Sequence, residues 1–191
     1  MSNRIQAAEA LLRLKAGNSQ YVQSNSYTGD VSSAIRANTA KNGQFPYAIV
    51  IACSDSRVIP EIIFSAGMGE LFTIRVAGNV IDRHQLGSIE YAVSHLKSPL
   101  VVVLGHTHCG AVAATIAGEG DSHIQSITDK IHKAIGNETD DFTAASLNVK
   151  YAVAEILDAF RHDGLEEEQV VGAVYDIETG EVYWKISREI V

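Results

Sequence analysis

The chain has 191 residues, which fits one domain with a sizeable core, and its 46% hydrophobic and 20% charged residues are typical of a globular protein. Its net charge of −8, without a lysine- and arginine-rich patch, argues against a protein that binds nucleic acid through phosphates. No apolar run reaches the roughly 18 residues that a membrane span needs, and the N-terminus lacks the apolar core of a signal peptide, so we expect a cytoplasmic protein with no membrane partner.

The N-terminal segment predicts a helical arm. Apolar side chains recur at helical spacing over residues 2–16, and Gly17 predicts the end of that helix. A second helix is predicted over residues 32–41, before the turn sequence Asn42-Gly43. The apolar face of the first helix needs a neighbour, and a partner subunit is one candidate.

Strands and helices alternate in the middle of the chain. Strands are predicted over residues 47–52, 71–76 and 100–104, and helices over 61–66, 82–97 and 111–117. This order implies right-handed crossovers and a mainly parallel sheet. The uninterrupted aliphatic run from Leu100 to Leu104 fits a strand that is buried on both faces.

The C-terminal part adds helices and an edge to the sheet. A helix capped by Asp121 or Ser122 carries isoleucines on one face, and a longer helix is predicted over 140–160. Residues 170–177 and 181–186 read as two strands joined by a turn. We therefore predict an α/β fold with a mainly parallel central sheet, flanking helices, an N-terminal helical arm and C-terminal edge strands.

Two polar clusters follow predicted strands. Cys53-Ser54-Asp55-Ser56-Arg57 follows the first strand, and Gly105-His106-Thr107-His108-Cys109-Gly110 follows the third. Sites in open α/β sheets form at the carboxyl ends of the strands, and the first and third strands can be neighbours at the switch point.

Cys53, His106 and Cys109 therefore predict a zinc site, because zinc binds thiolates and imidazoles and its catalytic sites keep a fourth position open. The alternative is a pair of inert buried cysteines and a surface histidine. It is disfavoured because both cysteines follow strands beside polar clusters.

Asp55 and Arg57 are two residues apart, so in an extended segment their side chains point the same way. They can form a local salt bridge that merely caps the strand end. Beside a metal, a functional role is favoured: Asp55 either accepts a hydrogen bond from zinc-bound water or itself occupies the fourth zinc position. The neighbouring guanidinium keeps the carboxylate ionised.

The paired motifs resemble those of the β-class carbonic anhydrases, of the plant-like, non-allosteric type. The match is close over residues 44–117 and includes Arg75-Val76-Ala77-Gly78-Asn79 and Ser88-Ile89-Glu90-Tyr91-Ala92-Val93. The resemblance implies a single domain over 1–191, with an arm over 1–43, a zinc-site core over 44–117 and C-terminal helices and edge strands over 118–191. It also implies that the arm is exchanged between subunits. The expected assembly is an obligate dimer, often doubled to a tetramer, with active sites at the dimer interface.

The same resemblance implies roles for residues that would otherwise be a turn residue and ordinary core aromatics. Gln44 matches a substrate-binding glutamine of plant-type members, and Phe72 and Tyr91 match aromatics that line the substrate pocket. Gly110, next to the last zinc ligand, is also expected to bind substrate.

One subgroup of the family has a noncatalytic bicarbonate site that holds the enzyme inactive. Its tryptophan corresponds to Val50 here, although Arg75, which matches another residue of that site, is present. We therefore expect no bicarbonate inhibition of that kind.

The expected reaction is the reversible hydration of carbon dioxide to bicarbonate and a proton, by attack of zinc-bound hydroxide. Asp55 would orient the hydroxide, and Arg57 would hold Asp55 away from the metal. Because two thiolates cancel the charge of Zn²⁺, the bound water should be less acidic than at a three-histidine site, and activity should rise on the alkaline side of neutrality.

Two alternative functions stay open from the sequence. A hydrolase of carbonyl sulfide or carbon disulfide would use the same scaffold. A noncatalytic zinc module that stabilises a dimer would need four permanent protein ligands and no Asp55–Arg57 pair.

Overall fold

The computed structural model describes residues 5–24 and 26–186. The strands are β1 (Ala48–Ala52), β2 (Leu71–Arg75), β3 (Val101–His106), β4 (Val170–Tyr175) and β5 (Val182–Ile186). The helices are α1 (Ala7–Ser24), α2 (Ser33–Asn42), α3 (Pro60–Ile63), α4 (Arg83–Ser94), α5 (Gly110–Ile116), α6 (Gln125–Ile135) and α7 (Asp141–Ala159).

The five strands form one sheet in the order β2-β1-β3-β4-β5. The first four strands are parallel, and β5 pairs antiparallel with β4 at one edge. The predicted α/β fold is confirmed, including the pairing of β1 with β3. Because β1 lies between β2 and β3, the strand order reverses beside β1, and the carboxyl ends of β1 and β3 meet at this switch point.

Helices cover both faces of the sheet, which explains the continuous apolar runs of the central strands. All of β1 is buried: Ile49 and Ile51 face α4 and α7, while Val50 packs on the opposite face with α1 and α3. A third apolar cluster surrounds Cys53 and Cys109 and includes residues of α5 and α6.

The first helix differs from its prediction. It continues through Gly17 to Ser24, whereas Gly17 was expected to end it. A Cβ on Gly17 would lie 1.9 Å from the carbonyl oxygen of Phe64, so the glycine permits a close approach of the helix to the chain after α3. The start of the predicted helix, residues 2–4, lies outside the described residues.

The apolar face of α1, for which a partner subunit was one candidate neighbour, packs against its own chain. Ala10 and Leu14 are fully buried in the core, and Asn18 is 6% exposed. Asn18 donates to the carbonyls of Ile63 and Gly180 and accepts from the backbone N–H of Val182. An exchange of α1 is therefore not needed to bury this face, whereas α2 has no buried residue.

Other element boundaries differ from the predictions by a few residues. The helix predicted over 61–66 ends at Ile63, although Pro60 begins it as its ring favours. A 3₁₀ turn over Ser122–Ile124 precedes α6, and neither Asp121 nor Ser122 caps α6. Strand β3 extends to His106, which carries this residue into the sheet edge. No helix in the described ranges combines the length and the apolar character that crossing a bilayer requires.

Candidate metal centre

Cys53 is held at the end of β1 by the strand ladder. The backbone of β1 stays paired with β2 beyond the strand itself, since Val76 donates to the carbonyl of Ala52 and Ser54 donates to that of Val76, both at 3.2 Å. The Cys53 side chain is buried, and its Sγ accepts the backbone N–H groups of Asp55 at 3.4 Å and Gly78 at 3.3 Å.

His106 and Cys109 lie where β3 turns into α5. His106 ends the strand, opposite Tyr175 of β4, and Cys109 immediately precedes the helix. Between them, the Thr107 N–H donates to the carbonyl of Tyr175 at 2.9 Å, and the Thr107 Oγ1 accepts the N–H of Ile177 at 3.0 Å. The connecting loop is thus tied to β4 and the residues that follow it.

The two sulfurs and the histidine form one buried cluster whose ligand atoms all lie within 4.8 Å of one another. The Nδ1 of His106 lies 2.8 Å from the carbonyl of Thr107, which can only accept, so Nδ1 carries the proton. This leaves a lone pair on Nε2, which is buried and has no hydrogen-bond partner among the residues that the structure describes. An unpaired buried nitrogen beside two thiols fits a metal ligand, and a sulfur–nitrogen–sulfur donor set fits zinc.

The side chains of Cys53 and Cys109 shift each other's pKa in opposite directions. A hydrogen bond from the Cys109 thiol, together with those from the backbone N–H groups of Asp55 and Gly78, lowers the pKa of Cys53 against the opposing effect of burial. The hydrogen bond to Cys53, together with burial, raises the pKa of Cys109. A metal that binds both sulfurs takes them as thiolates and competes with protons for them, so metal affinity should fall as the pH is lowered.

Asp55 and Arg57 form a bidentate ion pair beside the predicted metal ligands. The Arg57 Nε donates to Oδ1 at 2.9 Å and its Nη2 to Oδ2 at 2.7 Å. These bonds lower the pKa of Asp55 well below its usual range. The segment was expected to be extended, but it turns: the Arg57 N–H also donates to Oδ1, and the Val58 N–H donates to the carbonyl of Asp55. A tight turn therefore brings the two side chains together.

Comparisons with known proteins agree with this geometry. A sequence model of the family described as carbonic anhydrase matches residues 48–182. The chain belongs to the β-carbonic anhydrase family. The carbonic anhydrase of Mycolicibacterium smegmatis is 37% identical over 195 aligned positions, which cover 95% of this chain and 93% of that protein. Carbonic anhydrase 2 of Mycobacterium tuberculosis is 42% identical over 127 residues, or 64% of this chain and 61% of that protein.

Solved β-carbonic anhydrases share the fold. The enzyme of Aspergillus fumigatus aligns with a TM-score of 0.69 and 28% identity, covering 93% of this chain and 89% of that one. A tetrameric β-carbonic anhydrase of Sordaria macrospora aligns with a TM-score of 0.66 and 25% identity, covering 80% of this chain and 91% of that one. Family membership and the enzyme class predicted from the motifs are thus confirmed.

Sequence reasoning missed a support for Cys53 that comes from α7. The Nδ2 of Asn148, which is 3% exposed, donates to the carbonyl of Gly78 at 2.8 Å, and the N–H of Gly78 donates to the Cys53 sulfur. Gly78 has a φ of +66° there, and a Cβ would lie 2.7 Å from the Cδ1 of Ile131. The sequence does contain a signal for this contact. Asn148 is a polar residue within the apolar face of a predicted helix, and a buried polar side chain needs a hydrogen-bond partner.

Asp141, the first residue of α7, was also missed. Its Oδ2 accepts the backbone N–H of His108 at 2.8 Å, and the carbonyl of His108 accepts from the Nη2 of Arg57 at 3.1 Å. His108 has a left-handed φ of +55°, which is uncommon for a residue other than glycine. Asp141 and Arg57 therefore hold the loop between the ligands from both sides.

Three of the four residues predicted to bind substrate lie away from the metal ligands of their own chain. Phe72 is in register with Ile49, four residues before Cys53, which corresponds to about 13 Å along the strand. Its ring centroid lies 6.1 Å from that of Tyr91, whose side chain is 46% exposed. Gln44 is exposed in the segment before β1. These three residues thus lie towards the opposite end of the strands from their own chain's ligands, whereas Gly110 follows Cys109 directly and is exposed.

Proposed function

We propose that this chain catalyses the reversible hydration of carbon dioxide, with zinc held by Cys53, His106 and Cys109. The observation that carries the proposal is the buried donor set of two sulfurs and one unpaired nitrogen beside the Asp55–Arg57 ion pair. The carbonic anhydrases among its relatives support the reaction class. When bound, zinc supplies a Lewis acid that lowers the pKa of a coordinated water, so that hydroxide is available near neutral pH.

Asp55 would orient the reacting oxygen. Each carboxylate oxygen has two lone pairs, and Oδ2 uses one of them to accept from Arg57. The other can accept a hydrogen bond from the nucleophile, which fixes the direction of the nucleophile's remaining lone pairs toward carbon dioxide. Since its pKa is depressed, Asp55 stays an acceptor across the neutral range.

Arg57 would keep Asp55 from taking the fourth metal position. Its guanidinium holds both carboxylate oxygens and is itself anchored on the carbonyl of His108. An unrestrained carboxylate next to a metal is a good ligand, and ligation by Asp55 would exclude water. The pair therefore acts as a gate, with the open arrangement maintained by Arg57.

The substrate pocket would be completed by a second copy of the chain. Gln44, Phe72 and Tyr91 lie away from their own chain's metal ligands, yet Gln44 and Tyr91 are exposed and available to a neighbour. The tetrameric relative from Sordaria macrospora supports an assembly of this kind. We therefore propose a dimer, or a tetramer built from dimers, in which each pocket draws on two subunits.

A noncatalytic zinc module is the less suitable alternative. The cluster among the described residues offers three ligands rather than the four of a closed structural site. A structural site also gives no reason for an ion pair that is tied to the loop between two ligands. Within residues 5–24 and 26–186, no contact favours carbonyl sulfide or carbon disulfide over carbon dioxide.

Metal analysis and stopped-flow hydration of carbon dioxide test the proposal together. We expect one zinc per chain, rapid hydration, and loss of both after chelation with recovery on adding zinc. Zinc-loaded protein that leaves the carbon dioxide rate at the uncatalysed level would refute the proposed function. Parallel assays with carbonyl sulfide and carbon disulfide would then identify a hydrolase.

A further inference from the structure

Arg75 makes two contacts that link β2 to the residues around the metal. It is the last residue of β2 and lies in register with Ala52 of β1. Its Nε donates to the carbonyl of Cys53 at 3.1 Å, and its Nη2 donates to the carbonyl of Asp55 at 2.7 Å. One planar guanidinium therefore holds two main-chain carbonyls on either side of Ser54.

These contacts begin where the strand ladder ends. The ladder between β1 and β2 extends to the N–H of Ser54, after which the chain turns through Asp55. Beyond that point, Arg75 is what ties the main chain of Asp55 to β2. Because the donors of a guanidinium have a fixed spacing, two bonds from one side chain restrict rotation about the intervening peptides more than a single bond could.

We propose that Arg75 is a positioning residue for the Asp55–Arg57 pair. By fixing the Asp55 carbonyl, it sets the direction in which the carboxylate leaves the main chain, toward Arg57 and away from the fourth metal position. This inference rests on the proposed function and deepens it. The Nε and Nη2 groups of Arg75 are both committed to these carbonyls.

The metal ligands themselves do not depend on Arg75 in the same way. The main chain at Cys53 is held by ladder bonds at Ala52 and Ser54, and its sulfur accepts from Gly78. His106 is the last residue of β3, and Cys109 immediately precedes α5. Loss of the Arg75 side chain should therefore leave the metal bound but release Asp55, which could then move to the metal.

The test compares Arg75→Gln with Arg83→Gln in the full-length protein, as both zinc and cobalt forms. Arg83 is an exposed arginine at the start of α4 and serves as the matched control. In Arg75→Gln we expect wild-type zinc content and a kcat lower by on the order of 10²-fold, with a smaller change in KM. The visible spectrum of the cobalt form should lose its response to thiocyanate, because Asp55 competes for the fourth position.

The double variant Arg75→Gln/Asp55→Ala isolates the cause. If released Asp55 blocks the metal, removing its carboxylate should restore the thiocyanate response of the cobalt spectrum while kcat stays low. Arg75→Lys keeps the charge but lacks the fixed donor spacing of the guanidinium, so it should fall between wild type and Arg75→Gln. Arg75→Lys also tests the proposal if Arg75→Gln does not fold. A wild-type kcat and a wild-type thiocyanate response in Arg75→Lys would overturn the proposal.

Two results with Arg75→Gln would also overturn it. The first is a kcat and a cobalt spectrum that match Arg83→Gln, which would show that the two bonds do not position Asp55. The second is loss of bound metal, which would make Arg75 part of the metal site instead. An inactive wild-type protein would refute the proposed function alone, because the cobalt spectra still report whether Arg75 controls Asp55.

Discussion

The two groups of predicted site residues differ in how completely one chain assembles them. At the carboxyl ends of β1 and β3, the ligand atoms of Cys53, His106 and Cys109 lie within 4.8 Å of one another, and each ligand follows a strand end fixed by hydrogen bonds. Toward the other end of the sheet, Gln44 and Tyr91 are exposed. One chain thus builds the metal half of the proposed site, whereas the residues predicted for its pocket half, Gln44, Phe72 and Tyr91, stay apart from it.

This difference separates two requirements of the reaction. Metal binding needs ligands held to within a fraction of an ångström, which the strand ladder and the α7 contacts of one chain can supply. Enclosing a small apolar substrate needs a concave wall, and in the proposed dimer a second subunit would complete that wall over the exposed Gln44 and Tyr91. We therefore expect changes at the metal half to act within a subunit and changes at the pocket half to act across subunits.

The largest effect is expected from loss of a metal ligand. His106→Ala removes the imidazole nitrogen that has no hydrogen-bond partner in the described part of the chain, so zinc content and carbon dioxide hydration should both fall to background. Metal analysis by mass spectrometry and stopped-flow assays measure this directly. The control is His84→Ala, because the side chain of His84 is 82% exposed on α4. Full zinc content in His106→Ala would show that the ligand set is wrong.

Arg57→Ala should separate metal binding from catalysis. Zinc should be retained, because no ligand is removed, while the rate should fall by about 10²-fold or more as Asp55 loses its restraint. The matched control is Arg13→Ala, since Arg13 also pairs with a carboxylate, that of Glu9, but on the exposed face of α1. Loss of zinc in Arg57→Ala would instead make Arg57 a structural element of the metal site.

We expect the pH dependence of the rate to come from the titration of a zinc-bound water and not from Asp55. The pKa of Asp55 is lowered, so its ion pair with Arg57 contributes stability above the ordinary carboxyl range and loses it only as the pH falls through the depressed value. Asp55 therefore does not titrate near neutrality. We expect the rate to rise on the alkaline side of neutrality, and a flat profile from acid to alkaline pH would contradict this.

Asp141→Ala should have the smallest effect among these metal-half variants. Its carboxylate supports the His108 peptide from α7, and a looser loop should reduce the rate by about tenfold with zinc retained. Asp141→Asn keeps an acceptor oxygen and should approach wild type. Asp129→Ala, an exposed aspartate on α6, is the control. Equal rates for Asp141→Ala and Asp129→Ala would show that the loop needs no such support.

The sequence was most informative where one local pattern determines the structure. Continuous apolar runs followed by polar clusters predicted β1, β3 and the metal ligands, because parallel strands bring their carboxyl ends to one edge. The spacing of Asp55 and Arg57 predicted their pairing, although a turn rather than an extended segment produces it. These features depend on short stretches of chain and on the general rules of α/β sheets.

Features that depend on distant contacts could not be predicted in this way. Gly17 lies within α1 because the helix backbone approaches Phe64, and only the tertiary structure shows that approach. Asn148 and Asp141 reach the metal site from α7, which is separated from Gly78 and His108 by 70 and 33 residues. The predicted pocket residues depend on a further step, since the proposed pocket draws their partners from another copy of the chain.

Subunit complementation tests the division between the two halves most directly. Arg57→Ala damages the metal half, and Gln44→Ala/Tyr91→Ala damages the pocket half through two exposed side chains. If each site draws one half from each subunit, mixed dimers contain one intact site and one site with both defects. Random mixing after dissociation should then recover about a quarter of the wild-type hydration rate. Activity that stays at the mean of the two parent variants would contradict a shared site.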